Sequence, residues 1–153
     1  MSGAVSRGYM PVYADGGELP DPEVRTFITN FYRISDRPDA DELWISYFAK
    51  DARVTIGADQ GHGEQEIREL RSRMWTAVRE RRHTVEKVFP GRFRSADNGA
   101  ECEVMLFGEV NLTTKEGNEA VLPWAAHGVL RKQGGEADRE EWKFARYRVW
   151  LQK

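Results

Sequence analysis

Hydrophobic and polar residues alternate most regularly between residues 101 and 114, ECEVMLFGEVNLTT. The stretch holds no proline and one glycine and is rich in residues that suit extended backbone, which predicts a β-strand. Successive side chains of a strand point to opposite faces, so the stretch divides into two sets. One set is small and apolar throughout, which indicates a buried face: Cys102, Val104, Leu106, Gly108, Val110 and Leu112.

The second face of this predicted strand mixes polar groups with large apolar side chains. Its members are Glu101, Glu103, Met105, Phe107, Glu109, Asn111 and Thr113. A purely solvated face has no need of Met105 beside Phe107, whereas the wall of a ligand cavity is apolar at depth and polar at its mouth. We therefore predict that this face lines a cavity; the alternative is an exposed face with two stray apolar residues.

Three segments earlier in the chain show the 3.6-residue spacing of amphipathic helices. The first begins at Asp21-Pro22-Glu23, which supplies an N-cap, a proline at the first helical position and an acid, and Asp36-Arg37-Pro38 ends it. The second begins near residue 39 or 41, and the third spans Glu64 to about Arg81 after a glycine-rich loop at 57–63. Their apolar stripes are Val24, Phe27, Ile28 and Phe31; Leu43, Trp44, Tyr47 and Phe48; and Ile67, Leu70, Met74, Trp75 and Val78.

Strands dominate the rest of the chain. After a short strand at 53–56, the pattern predicts strands at 83–89, 101–114, 119–132 and 141–152. Helices followed by an antiparallel meander indicate an α+β domain, which we place at residues 20–153. Residues 1–19 mix glycine and alanine with polar residues and are expected to form a flexible N-terminal arm.

Composition narrows the possible partners. A length of 153 residues suits one domain. The net charge of −2 gives no electrostatic reason to expect nucleic acid or an anionic membrane as partner. No apolar run approaches the length of a membrane span, and the N-terminus lacks the apolar core of a signal peptide, so we expect a cytoplasmic protein. The arginines between residues 68 and 82 are balanced by glutamates and are expected on a solvated helix face.

No cofactor and no metal are predicted. The three histidines lie far apart in sequence, and the single cysteine, Cys102, falls on the apolar face of a strand. The stretch GADQGHG lacks the Gly-Lys-Ser/Thr ending of a phosphate-binding loop, and no dinucleotide-binding fingerprint is present.

The order of elements and several motifs resemble the NTF2-like superfamily. These motifs are F…D…W…YF…DARVTIG, a glycine loop, EIRELRSRMW, a strand that opens with His83, and the ending WKFARYRVW. Within the superfamily, residues 20–152 look most like the SnoaL-like and scytalone dehydratase-like domains. The resemblance implies a cone, in which a strongly curved, mixed but mainly antiparallel sheet and three N-terminal helices enclose a pocket.

The resemblance also implies a catalytic pair. Asp36 aligns with the pocket aspartate of the scytalone dehydratase-like branch, and His83 aligns with its catalytic histidine. A histidine can move a proton near neutral pH, and a carboxylate beside it fixes its tautomer. The alternatives are that Asp36 only ends the first helix or caps the second, and that His83 is half exposed and bonded to a backbone carbonyl.

The sequence departs from the scytalone dehydratase pattern at three positions. Asn111 stands where that family has a second histidine, and Ser35 and Ile56 stand where it has two tyrosines that bind the catalytic water. These differences argue against scytalone dehydratase activity itself. Glu109 is a further candidate for a carboxylate acid or base.

Two later strands carry candidate pocket residues. By the resemblance, Tyr147 faces the cone and can donate its hydroxyl to a ligand oxygen. On the preceding strand, a two-residue turn at Glu116-Gly117 places Trp124 inside, whereas a three-residue turn shifts the register and places His127 inside. Two leucines share the face of Trp124, which favours Trp124 inside.

Two functions follow from these features and stay open. One is a cofactor-free lyase or isomerase of secondary metabolism that dehydrates, isomerises or cyclises a cyclic polyketide- or terpenoid-like metabolite. In it, His83 is the acid/base and Asp36 orients it. The residues expected to contact this hydrophobic ligand are Glu109, Asn111, Tyr147, Phe107, Met105 and Trp124. The other function is a non-catalytic small-molecule-binding or dimerisation module of the same fold.

The last strand predicts a homodimer. If Tyr147 lines the cone, then Trp142, Phe144 and Trp150 lie together on the convex face of the sheet, where an aromatic patch would invite association with a second copy. The alternative is that the N-terminal arm, with its tyrosines, covers these aromatics in a monomer.

Overall fold

The computed structural model describes residues 8–13, 21–91, 102–134 and 140–152. Within them the helices are α1 (Glu23–Ser35), α2 (Asp41–Ile45) and α3 (Glu64–Met74). The strands are β1 (Val12–Tyr13), β2 (Phe48–Ile56), β3 (Asp59–His62), β4 (Val78–Gly91), β5 (Cys102–Thr114), β6 (Glu119–Gly134) and β7 (Glu140–Leu151). Glu101, the first residue of the predicted central strand, lies outside the described residues. No helix in the described ranges is long and apolar enough to cross a bilayer.

The strands form one mixed sheet in the order β1-β4-β5-β6-β7-β2-β3. The predicted meander is present, because β4, β5, β6 and β7 pair antiparallel in sequence order. Two parallel pairings extend it, β2 with β7 and β1 with β4. The α+β class and the mainly antiparallel sheet are therefore confirmed.

The predicted glycine loop at 57–63 is partly a strand. Residues 59–62 form β3, which pairs with β2 across a turn where Gly57 has φ of 61°. Gly61 lies so close to α3 that a Cβ there would meet the backbone oxygen of Glu66 at 2.9 Å. This contact joins the end of the sheet to the start of α3.

The third helix is shorter than its periodicity predicts. It ends at Met74, and the chain is already extended at Val78, which pairs with Thr114 of β5. Because Trp75 and Val78 satisfy both a helical and an extended pattern, long-range pairing with β5 decides the outcome. The arginine cluster is thereby divided between α3 and β4, and the prediction of one solvated helix face is wrong.

The small apolar face of β5 packs into the core, as its alternation predicts. Val104 and Leu106 are each 1% exposed and Val110 is 3% exposed. The mixed face points the other way: Met105 is 41% exposed, and Glu109 and Asn111 are exposed as well. The prediction that this face lines a cavity is therefore wrong.

The orientation of β5 has a steric cause at Gly108, on its small apolar face. A Cβ at this position would lie 1.9 Å from the backbone oxygen of Thr84, so a side chain cannot be accommodated where β4 bulges towards it. On the opposite face Phe107 stacks on Phe89 of β4 with ring centroids 6.2 Å apart. At this point of β5 a large side chain therefore has room only on the outer face.

The last strand contains an irregularity that the alternation does not show. Val129 pairs with Arg146 but Leu130 pairs with Phe144, so Ala145 is an extra residue in β7. The bulge reverses the faces, and Trp142 and Phe144 are buried at 7% and 0% exposure. The predicted convex patch of three aromatics is therefore wrong, and only its third member, Trp150 at 43% exposure, lies outside.

The described part of the N-terminal arm packs against the sheet. Val12 and Tyr13 form β1 beside β4, and the backbone N–H of Val85 donates to the carbonyl of Gly8 at 2.9 Å. Tyr9 of the same segment donates its hydroxyl to Asp36 at the end of α1. The boundary of the domain at residue 20 stays a prediction.

Candidate active site

Asp36 and His83 lie in direct contact, as the resemblance implies. Asp36 follows α1, and its carboxylate is 6% exposed. One oxygen, Oδ1, is 2.5 Å from the ring Nδ1 of His83. The other, Oδ2, accepts the backbone N–H of His83 at 2.7 Å and the hydroxyl of Tyr9 at 2.6 Å. Three donors thus hold the carboxylate in one orientation.

This contact determines which nitrogen of His83 is available for chemistry. Because the carboxylate accepts at Nδ1, the neutral ring carries its proton there, and Nε2 has the lone pair. Among the described residues, none makes a hydrogen bond to Nε2. The ring lies between Tyr32, at 5.3 Å between centroids, and Trp124, at 5.7 Å. Nε2 of His83 is therefore the basic atom of the site.

Arg71 of α3 fixes the backbone on both sides of Asp36. Its side chain is fully buried; Nη1 donates to the carbonyl of Ser35 at 2.9 Å and Nη2 to that of Arg37 at 2.7 Å. Its Nε forms an ion pair with Asp41 at 2.9 Å. Burial lowers the pKa of Arg71, and the ion pair with Asp41 opposes that effect. Arg71 is thus a structural cation that sets the position of the carboxylate.

A cavity of about 60 Å³ lies beside His83. Helices, β2 and the inner face of the sheet all contribute to its wall. Its lining residues are Phe31, Ser35, Trp44, Ile56, Met74, Arg81, His83, Val110, Leu112, Trp124, Tyr147, Val149 and Leu151. Tyr147 and Trp124 line it as predicted. Four other predicted ligand contacts, Glu109, Asn111, Met105 and Phe107, are not in its wall because they belong to the outer face of β5.

The register between β5 and β6 explains the position of Trp124. The turn between the two strands has three residues, so Trp124 pairs with Gly108 and His127 pairs with Met105. From the sequence, a turn of this length was expected to place His127 inside. Because the inner face of β5 is the Gly108 face, this turn places Trp124 inside. His127 is outside, 2.9 Å from the carboxylate of Glu103.

Two buried tyrosine hydroxyls meet in the core beside the cavity. Tyr32 and Tyr147 have their hydroxyl oxygens 2.8 Å apart, and Tyr32 also stacks on Trp124 at 5.1 Å. Burial raises the pKa of both tyrosines, so both stay neutral at physiological pH. One hydroxyl donates to the other, and the second proton has no acceptor among the described residues. The pair can therefore donate one hydrogen bond to a ligand.

Arg81 is a cavity residue that the sequence pattern did not identify. It precedes His83 by two positions on β4, so both point to the inner face, and its Nη1 is buried with no hydrogen-bond partner among the described residues. Its guanidinium lies 4.9 Å from the ring centroid of Trp75. Burial, and to a smaller extent the charge of Arg71, lower the pKa of Arg81 to about 10. The alternation Arg81, His83, Val85 indicates this face once β4 is taken to begin before Arg81.

A larger surface groove of about 1030 Å³ runs between α2, the start of α3, the C-terminal end of β6 and the N-terminal end of β7. It contains neither Asp36 nor His83, so we place the candidate site in the smaller cavity. In the described ranges no group of three or more His, Cys, Asp or Glu side chains is arranged to hold a metal ion.

Comparison with known proteins identifies the fold. No protein-family model and no curated protein sequence matches the chain. A scytalone dehydratase-like protein from Novosphingobium aromaticivorans superposes with a TM-score of 0.70 at 15% identity, covering 85% of this chain and 82% of that one. ActVI-ORFA from Streptomyces coelicolor gives 0.66 at 14% identity, with 84% and 94% covered. A ketosteroid isomerase-like protein from Erwinia carotovora atroseptica gives 0.58 at 18% identity, with 82% and 87% covered. All three are NTF2-like proteins, and this chain has the NTF2-like fold.

Proposed function

We propose that the protein is a cofactor-free enzyme that transfers protons within a cyclic, oxygenated small molecule. The observation that carries the proposal is the hydrogen bond of 2.5 Å between Asp36 and Nδ1 of His83 at the wall of an internal cavity. The names of the structural neighbours, a dehydratase-like and an isomerase-like protein among them, support this reaction class by analogy.

The proposed mechanism uses His83 as base and then as acid. Nε2 takes a proton from carbon next to a carbonyl group, and Asp36 stabilises the imidazolium that forms. The proton then returns to a leaving hydroxyl group, which departs as water in a dehydration, or to another carbon in an isomerisation. The stacked rings of Tyr32 and Trp124 exclude bulk water from this step.

Among the residues predicted to bind substrate, the proposal retains Tyr147 and Trp124. Tyr147, with Tyr32, supplies the neutral hydroxyl that can donate to a substrate oxygen. Glu109 and Asn111 are exposed on the outer face of β5 and have no part in the proposed mechanism.

The size of the cavity sets a condition on a polyketide- or terpenoid-like substrate. Sites for molecules of that size enclose roughly 300–1,000 Å³, whereas this cavity is about 60 Å³. A cyclic substrate therefore requires wall side chains to move, and unbranched Met74 is the most adaptable of them.

The test is proton exchange into cyclic ketones and cyclic β-hydroxy ketones in D₂O, followed by NMR and mass spectrometry. We expect the wild type to accelerate exchange or dehydration of at least one probe, and His83→Ala to lower that rate by about 10²- to 10⁴-fold. The matched control is His127→Ala, because His127 is also paired with a carboxylate but on the outer face. Equal rates for the His83→Ala and His127→Ala variants would refute the assignment.

The small cavity favours a second candidate function, a non-catalytic binding or dimerisation module. Trp124 lines the cavity with its ring centroid 5.7 Å from that of His83, and the wall lacks the second histidine and the two tyrosines of the dehydratase pattern. For this candidate we expect a co-purifying apolar ligand to be recovered chemically unchanged. Its affinity should then be lowered by Trp124→Ala and not by Asp36→Asn.

A further inference from the structure

Arg81 is a cation with an incomplete set of partners. The buried Nη1 has no acceptor among the described residues, although a buried guanidinium donor without an acceptor is costly. The ring of Trp75 offers its π face to the charge but accepts no in-plane hydrogen bond from Nη1. An acceptor for Arg81 is therefore missing from the protein part of the site.

The nearby carboxylate does not supply this acceptor. Asp36 acts on Arg81 through space and raises its pKa, against the larger effect of burial. Both Asp36 oxygens are engaged, by the ring and backbone N–H of His83 and by the Tyr9 hydroxyl. A separate acceptor, for which an anion is the best match to the guanidinium charge, would complete the environment of Nη1 of Arg81.

A second orphaned donor lies in the wall of the same cavity. The indole N–H of Trp124 is buried and has no partner among the described residues, although buried indole N–H groups usually find one. Arg81, Trp124 and His83 all line this cavity. The wall thus presents a cation and a neutral donor without acceptors, next to a basic nitrogen.

We propose that the cavity binds an anionic oxygen of its ligand, a carboxylate group, which accepts hydrogen bonds from Arg81 and from the indole N–H of Trp124. This assignment deepens the proposed function, on which it rests for the identity of the site. The ligand class is a small organic acid, or a larger molecule that inserts its carboxylate into the cavity.

The chemistry of the wall gives this anion a role beyond binding. An arginine and an indole N–H that hold one oxygen of the ligand orient the adjacent carbon towards Nε2 of His83. A charge-assisted contact in a water-excluded site is stronger than the same contact in water. Arg81 is then a residue that selects acids over neutral analogues.

The experiment titrates the full-length, ¹⁵N-labelled protein with acetate and, separately, with acetamide, which has a similar shape without the charge. The signal of the Trp124 indole is assigned among the five tryptophans with a Trp124→Phe variant. We expect acetate to shift this signal in a saturable manner and acetamide to leave it in place. Equal responses to the two compounds, or no saturable shift with acetate, would overturn the proposal.

Two arginine variants separate a specific contact from general attraction. Arg81→Met should weaken acetate binding by about tenfold or more, the value of one charge-assisted hydrogen bond. Arg79→Met, an exposed neighbour on the same strand, should leave the affinity unchanged. An equal effect of the two variants would overturn the proposal. If Arg81→Met does not fold, the comparison of acetate with acetamide on the wild type still decides.

The same titration on His83→Ala distinguishes this inference from the proposed reaction. Retained acetate binding with lost proton exchange supports both. If acetate binding is retained but the wild type catalyses proton exchange into none of the probe compounds, the anion site is supported and the proposed reaction is refuted. Proton exchange by a wild type that does not bind acetate overturns the anion site alone.

Discussion

His83 donates to the carboxylate of Asp36 twice, through its backbone N–H at 2.7 Å and through its ring at 2.5 Å. The two bonds use different oxygens of the carboxylate, so the aspartate fixes both the strand and the imidazole plane. A loop after α1 and a residue of β4 are thereby held together across 47 positions of sequence.

This double contact predicts the effect of Asp36→Asn. An amide keeps the shape but can accept at only one of its two terminal atoms, so the tautomer and plane of His83 are no longer determined. We expect the rate of proton exchange to fall by about 10²-fold or more. Glu103→Gln, which changes the pair on the outer face, is the control and should retain wild-type kinetics.

Arg71→Met should be strongly destabilising. The substitution removes a fully buried cation together with its hydrogen bonds to the carbonyls of Ser35 and Arg37 and its ion pair with Asp41. Because two charge-assisted hydrogen bonds to backbone carbonyls are lost, we expect the free energy of unfolding in urea to fall by about 3 kcal/mol. Arg73→Met is the matched control on the same helix, because its ion pair with Asp59 is exposed and is worth at most about 1 kcal/mol. Similar losses for the two variants would contradict the structural role of Arg71.

Tyr9 makes stability depend on pH in the alkaline range. Burial, together with the hydrogen bond to Asp36, raises its pKa from 10.0 to about 12. The folded chain therefore keeps a proton that the unfolded chain loses first. The stabilisation is complete below pH 10 and is lost as the pH rises to about 12. Tyr9→Phe removes this contribution.

Urea unfolding at several pH values checks the prediction for Tyr9. At pH 8 we expect Tyr9→Phe to be less stable than the wild type by about 1 kcal/mol, the value of one hydrogen bond. The difference should shrink between pH 10 and about 12. Arg81 acts in the opposite direction over part of this range, because its pKa is lowered to about 10, but it is common to both proteins and cancels. A difference that stays constant over this range would contradict the prediction.

A homodimer through the outer face of the sheet stays a prediction, with a revised contact surface. Phe89, Met105 and Trp150 are 49%, 41% and 43% exposed on this face. Arg146 and Arg148 are exposed on the same face of β7, and the guanidinium of Arg148 lies 4.9 Å from the ring centroid of Trp150. We expect light scattering to report twice the 17.6 kDa of one chain, and Trp150→Glu to lower that mass. Trp142→Phe is the control, because Trp142 is buried by its own chain. A wild-type mass of one chain would rule out the dimer.

The sequence by itself determined the features that depend on local pattern. The alternation of β5 separates a buried face from an outer face, and the apolar stripes place α1 and the first part of α3. The pairing of Asp36 with His83 was also accessible, through motifs that resemble a known family. The alternation and the stripes are strong signals because each is repeated over several turns or strand residues.

Only the tertiary structure decided which face of the sheet meets the helices and where the alternation is interrupted. The bulge at Ala145 reverses the faces of β7, and the register of β6 places Trp124 and not His127 inside. Each depends on a partner strand that is distant in sequence. The burial of Arg81 depends likewise on where α3 gives way to β4, which pairing with β5 settles. A one-residue shift moves a whole set of side chains to the other face, so long-range pairing fixed the composition of the cavity.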